Sequence, residues 1–264
     1  MSQIYAITNQ KGGVGKTTTC VNLAASLVAI KKQVLLVDLD PQGNATMGSG
    51  VNKSEVNESV YDVLVKQASV EAIRQKSPTG HFDVLPANAD LTAAEVQLLD
   101  IEHKQHCLSD ALGAVKGHYD FILIDCPPSL NMLTVNALVA CDSVVIPMQC
   151  EYYALEGLSS LLSTIEQIQQ HANPQLTIAG ILRTMYDPRS SLTLEVSDQL
   201  KEFFGDKLYQ ACIPRNVRLA EAPSFGQPAL IYDRQSKGAI AYLALAGEFI
   251  RRSKLAKKDQ ALQA

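Results

Sequence analysis

The sequence predicts an α/β fold, a doubly wound and mostly parallel sheet flanked by helices. Three observations carry that expectation. Short apolar runs rich in β-branched residues recur along the 264 residues and alternate with stretches of helical periodicity. Two of those runs end in an aspartate, Asp38 and Asp125. This puts carboxylates at the carboxyl ends of parallel strands, where open α/β sheets form their ligand crevice. The first run is followed by a glycine-rich turn and then by an amphipathic pattern, the strand–turn–helix order of a phosphate cradle.

The first strand is Ile4-Tyr5-Ala6-Ile7-Thr8, and Val21, Ala24, Ala25 and Val28 share one face of the helix that follows. Between them lies Gln10-Lys11-Gly12-Gly13-Val14-Gly15-Lys16-Thr17-Thr18. Gly12, Gly13, Val14, Gly15 and Thr18 let backbone N–H groups converge on phosphate oxygens at the positive end of a helix. Lys16 supplies a point charge for the β- and γ-phosphates of ATP, and the Thr17 hydroxyl is placed to ligate Mg²⁺. The turn departs from the common G-x-x-x-x-G-K-[ST] spacing, because Gln10 stands at the first glycine and a second lysine, Lys11, sits just inside the loop. In this it resembles the deviant P-loop (deviant Walker A) of the ParA/MinD/nitrogenase-iron-protein group of ATPases. The resemblance implies that Lys11 reaches across a dimer interface to the phosphates of the partner's nucleotide. Positive charge at the γ-phosphate would then be conditional on dimerisation.

Composition bounds the rest. With 47% hydrophobic residues the chain can bury a full core, and residues 1–264 fit one domain better than two, with 251–264 as a basic tail. No apolar run reaches the roughly 18–20 residues that cross a bilayer. Met1-Ser2-Gln3 enters the first strand directly, without the charged segment and cleavage site of a secretion signal. Six cysteines are scattered through apolar segments with no C-x-x-C pair, which suits buried thiols in a reducing cytoplasm rather than a disulfide frame or metal site. The net charge of −4 argues against a nucleic-acid partner, but its distribution does not. Residues 1–182 carry 10 Lys and Arg against 18 Asp and Glu, whereas residues 183–258 carry 13 against 8. A basic final third on an acidic chain is the asymmetry of a polyanion-facing surface, or of dispersed, solvated charges.

Residues 33–38 form a near-continuous apolar strand of the kind buried on both faces. It leads into Asp38-Leu39-Asp40-Pro41-Gln42-Gly43-Asn44. Residues 45–80 are polar and less regular, with helices around 59–66 and 70–76 and a turn at Ser77-Pro78-Thr79-Gly80. A strand over 82–86 and helices over 91–99 and 106–115 follow, the last with Leu108, Leu112 and Val115 on one face. His103, His106 and Cys107 lack a completing ligand and read as surface or packing residues. Residues 119–125 are an apolar strand ending in Asp125, a Walker-B arrangement that would hold a Mg²⁺-bound water, and Pro127 and Pro128 stop it. Then come a helix over 131–140, a buried strand over 143–147, a long amphipathic helix over 155–170 and a strand over 176–182. A helix over 192–204, a strand over 207–213 and a final helix over 236–250, burying Ile240, Leu243, Leu245 and Phe249, complete the pattern. Arg251, Arg252, Lys254, Lys257 and Lys258 could track phosphates or end that helix favourably against its dipole.

The whole chain resembles the ParA/Soj partition ATPases, on the P-loop, the Asp38–Asn44 segment, the Asp125 strand and Ile213-Pro214-Arg215-Asn216-Val217-Arg218-Leu219-Ala220-Glu221-Ala222-Pro223. The resemblance implies a catalytic set of Lys11, Lys16 and Asp40, with Asp40 orienting the attacking water. It places Asp38 near a metal held by Thr17 and Asp125, and Pro214 and Asn216 against the adenine. It matches Arg189 and Arg218 to non-specific DNA-binding arginines, although each could equally be a surface ion-pair partner. It implies an ATP-dependent homodimer on double-stranded DNA, a ParB-type partner and a cytoplasmic, nucleoid-associated protein. The P-loop lies so close to Met1 that no DNA-reading extension is expected ahead of it. The alternative is a MinD-like membrane-cycling ATPase. Such a protein would need an amphipathic tail, and after Ile250 only Leu255 and Leu262 are large and apolar.

Overall fold

A computed structural model describes residues 2–152 and 154–263, with the course of the chain alone for 154–156 and 257–263. Lys257, Lys258 and Leu262 of the basic tail therefore lie outside the described side chains. Eight strands, β1 (Gln3–Ile7), β2 (Val34–Asp38), β3 (Gln75–Lys76), β4 (Asp83–Leu85), β5 (Phe121–Asp125), β6 (Ser143–Gln149), β7 (Thr177–Tyr186) and β8 (Leu208–Pro214), form one sheet. Their spatial order is β3-β4-β2-β5-β1-β6-β7-β8, and every pairing is parallel except that of β3 with β4. The helices are α1 (Lys16–Ala29), α2 (Asn44–Gly48), α3 (Val60–Leu64), α4 (Val70–Ile73), α5 (Leu91–Gln97) and α6 (Cys107–Val115). They continue with α7 (Met132–Ala140), α8 (Ala154–His171), α9 (Ser191–Phe204), α10 (Val217–Glu221), α11 (Ala229–Tyr232) and α12 (Lys237–Gln263).

The period-2 alternation of strand side chains splits the core in two. Ile4, Ala6, Leu35, Val37, Ile122 and Ile124 face one apolar layer, closed by residues of α3 and α5 to α9. Tyr5, Ile7, Val34, Leu36, Phe121 and Leu123 face the other, closed by α1 and α12. Both faces of the central strands are buried, which is why they read as unbroken apolar runs. Side-chain caps fix several helix starts. Ser59 and Asp62 make a reciprocal capping box on α3, and Asn131 and Ser190 cap α7 and α9.

Three expectations change. The helix predicted over 70–76 stops at Ile73, and Gln75 and Lys76 instead form β3, antiparallel to β4. The last helix does not end near residue 250 but runs on through Gln263. Its buried face is Ala239, Tyr242, Leu245, Ala246 and Phe249, while Ile240 is exposed and Leu243 only half-buried. Part of the basic tail is structural. Glu248 of α12 is buried, and its carboxylate accepts the N–H groups of Gln210 and Ala211 at 2.9 Å each, where β8 bulges away from β7. Arg252 ion-pairs with Glu248 at 2.7 Å, donates to the carbonyls of Asp206 and Leu208, and lies over the Tyr209 ring. These contacts cover an edge strand that would otherwise present unpaired backbone groups.

Candidate functional site

The central strand β1 delivers the chain into the glycine-rich turn, and Gly15, in the left-handed region at φ 87°, opens α1. Gly13 is also left-handed, at φ 73°, a conformation that a side chain would strain. The front of the loop is stitched to the end of β6. The Asn9 amide donates to Pro147 O at 2.8 Å, Gln149 donates to Gly13 O at 3.2 Å, and Lys11 donates to Glu151 Oε2 at 2.7 Å. On the other side, Thr184 of β7 donates to Val14 O at 2.8 Å. The loop is held in an open shape by side chains from two neighbouring strands.

Lys16 is buried, and its amine donates to Lys11 O at 3.1 Å. Burial pulls its pKa down, opposed chiefly by Asp125. Lys16 lines a cleft of about 280 Å³ together with Gly12, Gly13, Gly15, Thr17, Thr18, Asp40, Asn44, Pro128 and Met185. Lys11 is not among the residues lining that cleft. Its amine is half-exposed on Glu151.

Asp38 and Asp125 are register neighbours at the ends of β2 and β5, and both are fully buried. Asp38 is satisfied: Thr46 donates to it through N and Oγ1, both at 2.7 Å, and the Asp40 N–H donates at 3.1 Å. Burial nevertheless raises its pKa to about 6. Thr46 Oγ1 in turn accepts the Ala87 N–H at 2.9 Å, so Asp38 fastens α2 and the chain after β4 to the end of β2. Asp125 is different. Among the described residues neither of its oxygens has a hydrogen-bond partner. Burial, then the charge of Asp38, raises its pKa well above the usual carboxylate range, with the Thr17 side chain opposing. A buried, unpaired carboxylate beside a hydroxyl and a phosphate cradle is a hard-oxygen donor set, and it fits Mg²⁺. Asp40 is half-buried at the phosphate end, with its own loop turned by Gln42 N and Gly43 N.

The phosphate end opens into a second, mostly apolar cavity of about 240 Å³ lined by Gly15, Thr18, Met185, Pro214, Asn216, Leu219 and Tyr242, among others. Both Pro214 and Asn216 are there. Asn216 caps α10 by accepting the Arg218 N–H at 3.1 Å through its amide oxygen, which leaves the NH₂ as the half that does not take part in the cap. Thr184, Met185 and Tyr242 were not singled out by sequence. The predicted strand ended at residue 182, whereas β7 continues to Tyr186. Tyr242 was hidden on a helix face whose register the apolar pattern misplaced.

Arg189 and Arg218 lie outside this cleft. Asp187 holds Arg189 through its backbone N–H, Nε and NH2 at 2.8–3.0 Å. Arg218 pairs with Glu221 at 2.8 Å and with Asp233 at 3.3 Å. No cluster of metal-ligating His, Cys, Asp or Glu occurs among the described residues, and no described helix is long and apolar enough to cross a membrane. Of the cysteines, all six are free and five are buried.

Comparison with known proteins decides the family. A sequence profile described as an AAA domain matches residues 2–178. The sporulation initiation inhibitor protein Soj of Bacillus subtilis is 56% identical over 248 residues, covering 94% of this chain and 98% of Soj. The chromosome partitioning protein ParA of Caulobacter vibrioides is 49% identical, covering 96% of this chain and 95% of ParA. The chain belongs to the Soj/ParA family of chromosome-partitioning ATPases. Among solved structures, cobyrinic acid a,c-diamide synthase from Mycobacterium smegmatis, with bound ADP and magnesium, superposes with a TM-score of 0.84 at 37% identity over 96% of each chain. In this chain the cleft at the glycine-rich turn and the Pro214–Asn216 cavity adjoin through Gly15, Thr18 and Met185, which line both.

Proposed function

We propose that this chain is an ATP-driven switch for chromosome segregation, closed into a face-to-face dimer by ATP and bound to DNA without base readout in that state. Lys16 and the backbone of residues 12–18 hold the triphosphate. Thr17 and Asp125 would hold Mg²⁺, which when bound neutralises charge on the β- and γ-phosphate oxygens. Asp38, already occupied by Thr46, keeps the Asp38–Asn44 segment in place, and Asp40 orients the attacking water. Lys11 completes the partner's site rather than its own. The reading is carried by one observation, that Lys11 is absent from the lining of its own phosphate cleft while its amine stands at the surface.

Closure would join the basic final thirds of two chains. Phosphate-backbone affinity then rises through the pairing alone. Arg189, Arg218 and the tail lysines are the contacting groups, and a ParB-type partner on its own DNA site would stimulate hydrolysis and release. The protein would be cytoplasmic and nucleoid-associated. A membrane-cycling role is not favoured, since Leu255 is the only large apolar side chain described beyond Ile250.

The test is binding to random-sequence duplex with ATP, ADP or no nucleotide across a salt series, for wild type and Lys11→Ala. The expected result is a steep salt dependence confined to wild type with ATP. Nucleotide-independent DNA binding, or a Lys11→Ala protein that dimerises and hydrolyses normally, would defeat the proposal.

A further inference from the structure

A local irregularity in β7 bears on how the site grips its nucleotide. Arg183 pairs with Cys212 of β8 and Tyr186 with Pro214, so β7 carries one residue more than β8 across that interval. The extra residue is accommodated at Met185, whose φ of 49° lies in the left-handed region. In a regular strand, positions 183 and 185 would share one face and 184 and 186 the other. Here the Arg183 guanidinium lies 5.4 Å from the Tyr186 ring, so those two share a face. Thr184 and Met185 instead both turn toward the cleft, Thr184 to Val14 O at the glycine-rich turn and Met185 into its lining. Bulges beside active sites commonly re-aim a side chain in this way.

The strain has no compensation in packing. The left-handed region is disfavoured for a residue with a Cβ, and Met185 belongs to neither apolar core. It is half-buried and lines both the phosphate end and the apolar end of the cleft, where the two meet. Gln149 touches its sulfur and also donates to Gly13 O, tying it to the phosphate cradle. A thioether is flexible and polarisable and packs well on an aromatic ring or a sugar face. We propose that Met185 is the residue that packs on the nucleoside of the bound nucleotide, clamping sugar and base between the phosphate cradle and the Pro214–Asn216 cavity. The proposal rests on nucleotide binding in this cleft.

The test compares Met185→Ala, Met185→Gly and Met185→Leu by calorimetric titration with MgADP and with magnesium tripolyphosphate, which has phosphates but no nucleoside. Thermal midpoints without ligand are read in parallel. Loss of the side chain in the Ala and Gly variants should weaken ADP about five- to tenfold and leave tripolyphosphate within about twofold, while Leu stays within about threefold on ADP. The Gly variant, relieved of backbone strain, should melt above the Ala variant while binding ADP as poorly. A purely structural residue would not separate stability from affinity in that way. Unchanged ADP affinity in both truncations, or equal losses on ADP and tripolyphosphate, would overturn the assignment. Wild-type protein that binds neither ligand would instead sink the nucleotide site itself.

Discussion

Asp125→Asn should make the nucleotide-free protein more stable and less useful. The carboxylate is fully buried, unpartnered among the described residues, and one register step across the sheet from the buried Asp38. Holding an unpaired ion in such a place costs several kcal/mol. The asparagine amide would still lack partners, at about 1–3 kcal/mol. The difference is a gain of about 2 kcal/mol, which for a chain of this size is roughly 4–8 °C in Tm. The gain should depend on pH. A carboxyl whose folded pKa is raised carries no linkage penalty below its unfolded value, and the folded state loses stability as pH rises from there through the raised value. For Asp38 the window runs from the unfolded value near 4 up to about 6, and Asp125 shifts in the same direction. Wild type without ligand should therefore soften between pH 4 and pH 8, and the advantage of the asparagine variant should shrink toward pH 4. MgATP should reverse the order, because at a hundredfold excess over Kd a bound ligand adds about 2.7 kcal/mol and the variant forfeits the magnesium-dependent share. The assay is thermal or urea unfolding across pH, with and without MgATP. A nucleotide-free variant that melts below wild type at pH 8 would refute the reasoning.

Glu248→Ala removes the acceptor for two part-buried N–H groups at the β8 bulge and leaves Arg252 with carbonyl acceptors alone, so urea unfolding should show a loss of about 1–3 kcal/mol. Its control, Lys254→Ala at an exposed position of the same helix, should stay within about 0.5 kcal/mol. Glu151→Gln frees the Lys11 amine. Since an exposed ion pair contributes about 0–1 kcal/mol, ATP-dependent dimerisation measured by light scattering should tighten by no more than about fivefold, and monomer stability should hardly move.

Much of the fold could be read because the central strands are buried on both faces, which leaves runs such as Phe121–Asp125 with no polar interruption. The P-loop was equally plain, since Gly15 and Lys16 fall where the strand–turn–helix geometry needs them. The misses have a common cause, contacts between segments distant in sequence. Gln75 and Lys76 carry no strand signal of their own and become β3 only because β4 lies alongside. Ile240 looked like core by helical spacing, yet the face of α12 is set by packing on α1 and β8, where Tyr242 meets Thr19 and Glu248 meets the β8 backbone. The grip of Thr46, eight residues on, on the Asp38 carboxylate likewise leaves no mark in the local pattern. Met185 could not be foreseen, because a bulge depends on the register of two strands at once.

The charges of the site show a common arrangement. Lys16 donates to the carbonyl of Lys11, Lys11 to Glu151, Arg189 to Asp187, and Arg218 to Glu221 and Asp233. Each of these cations has an internal acceptor, whereas the buried Asp125 at the end of β5 has no hydrogen-bond donor among the described residues. The links at Lys11, Arg189 and Arg218 are exposed or half-exposed, so each is weak and weakens further with salt. An incoming phosphate therefore has to displace only a weak internal acceptor. Exchange at one such position is close to neutral, and a net preference for a polyanion builds only when several positions exchange together. On the proposed dimer that number doubles. Coupling of DNA affinity to ATP then needs no change in the shape of either chain, only the pairing of two surfaces whose cations are already present and loosely occupied.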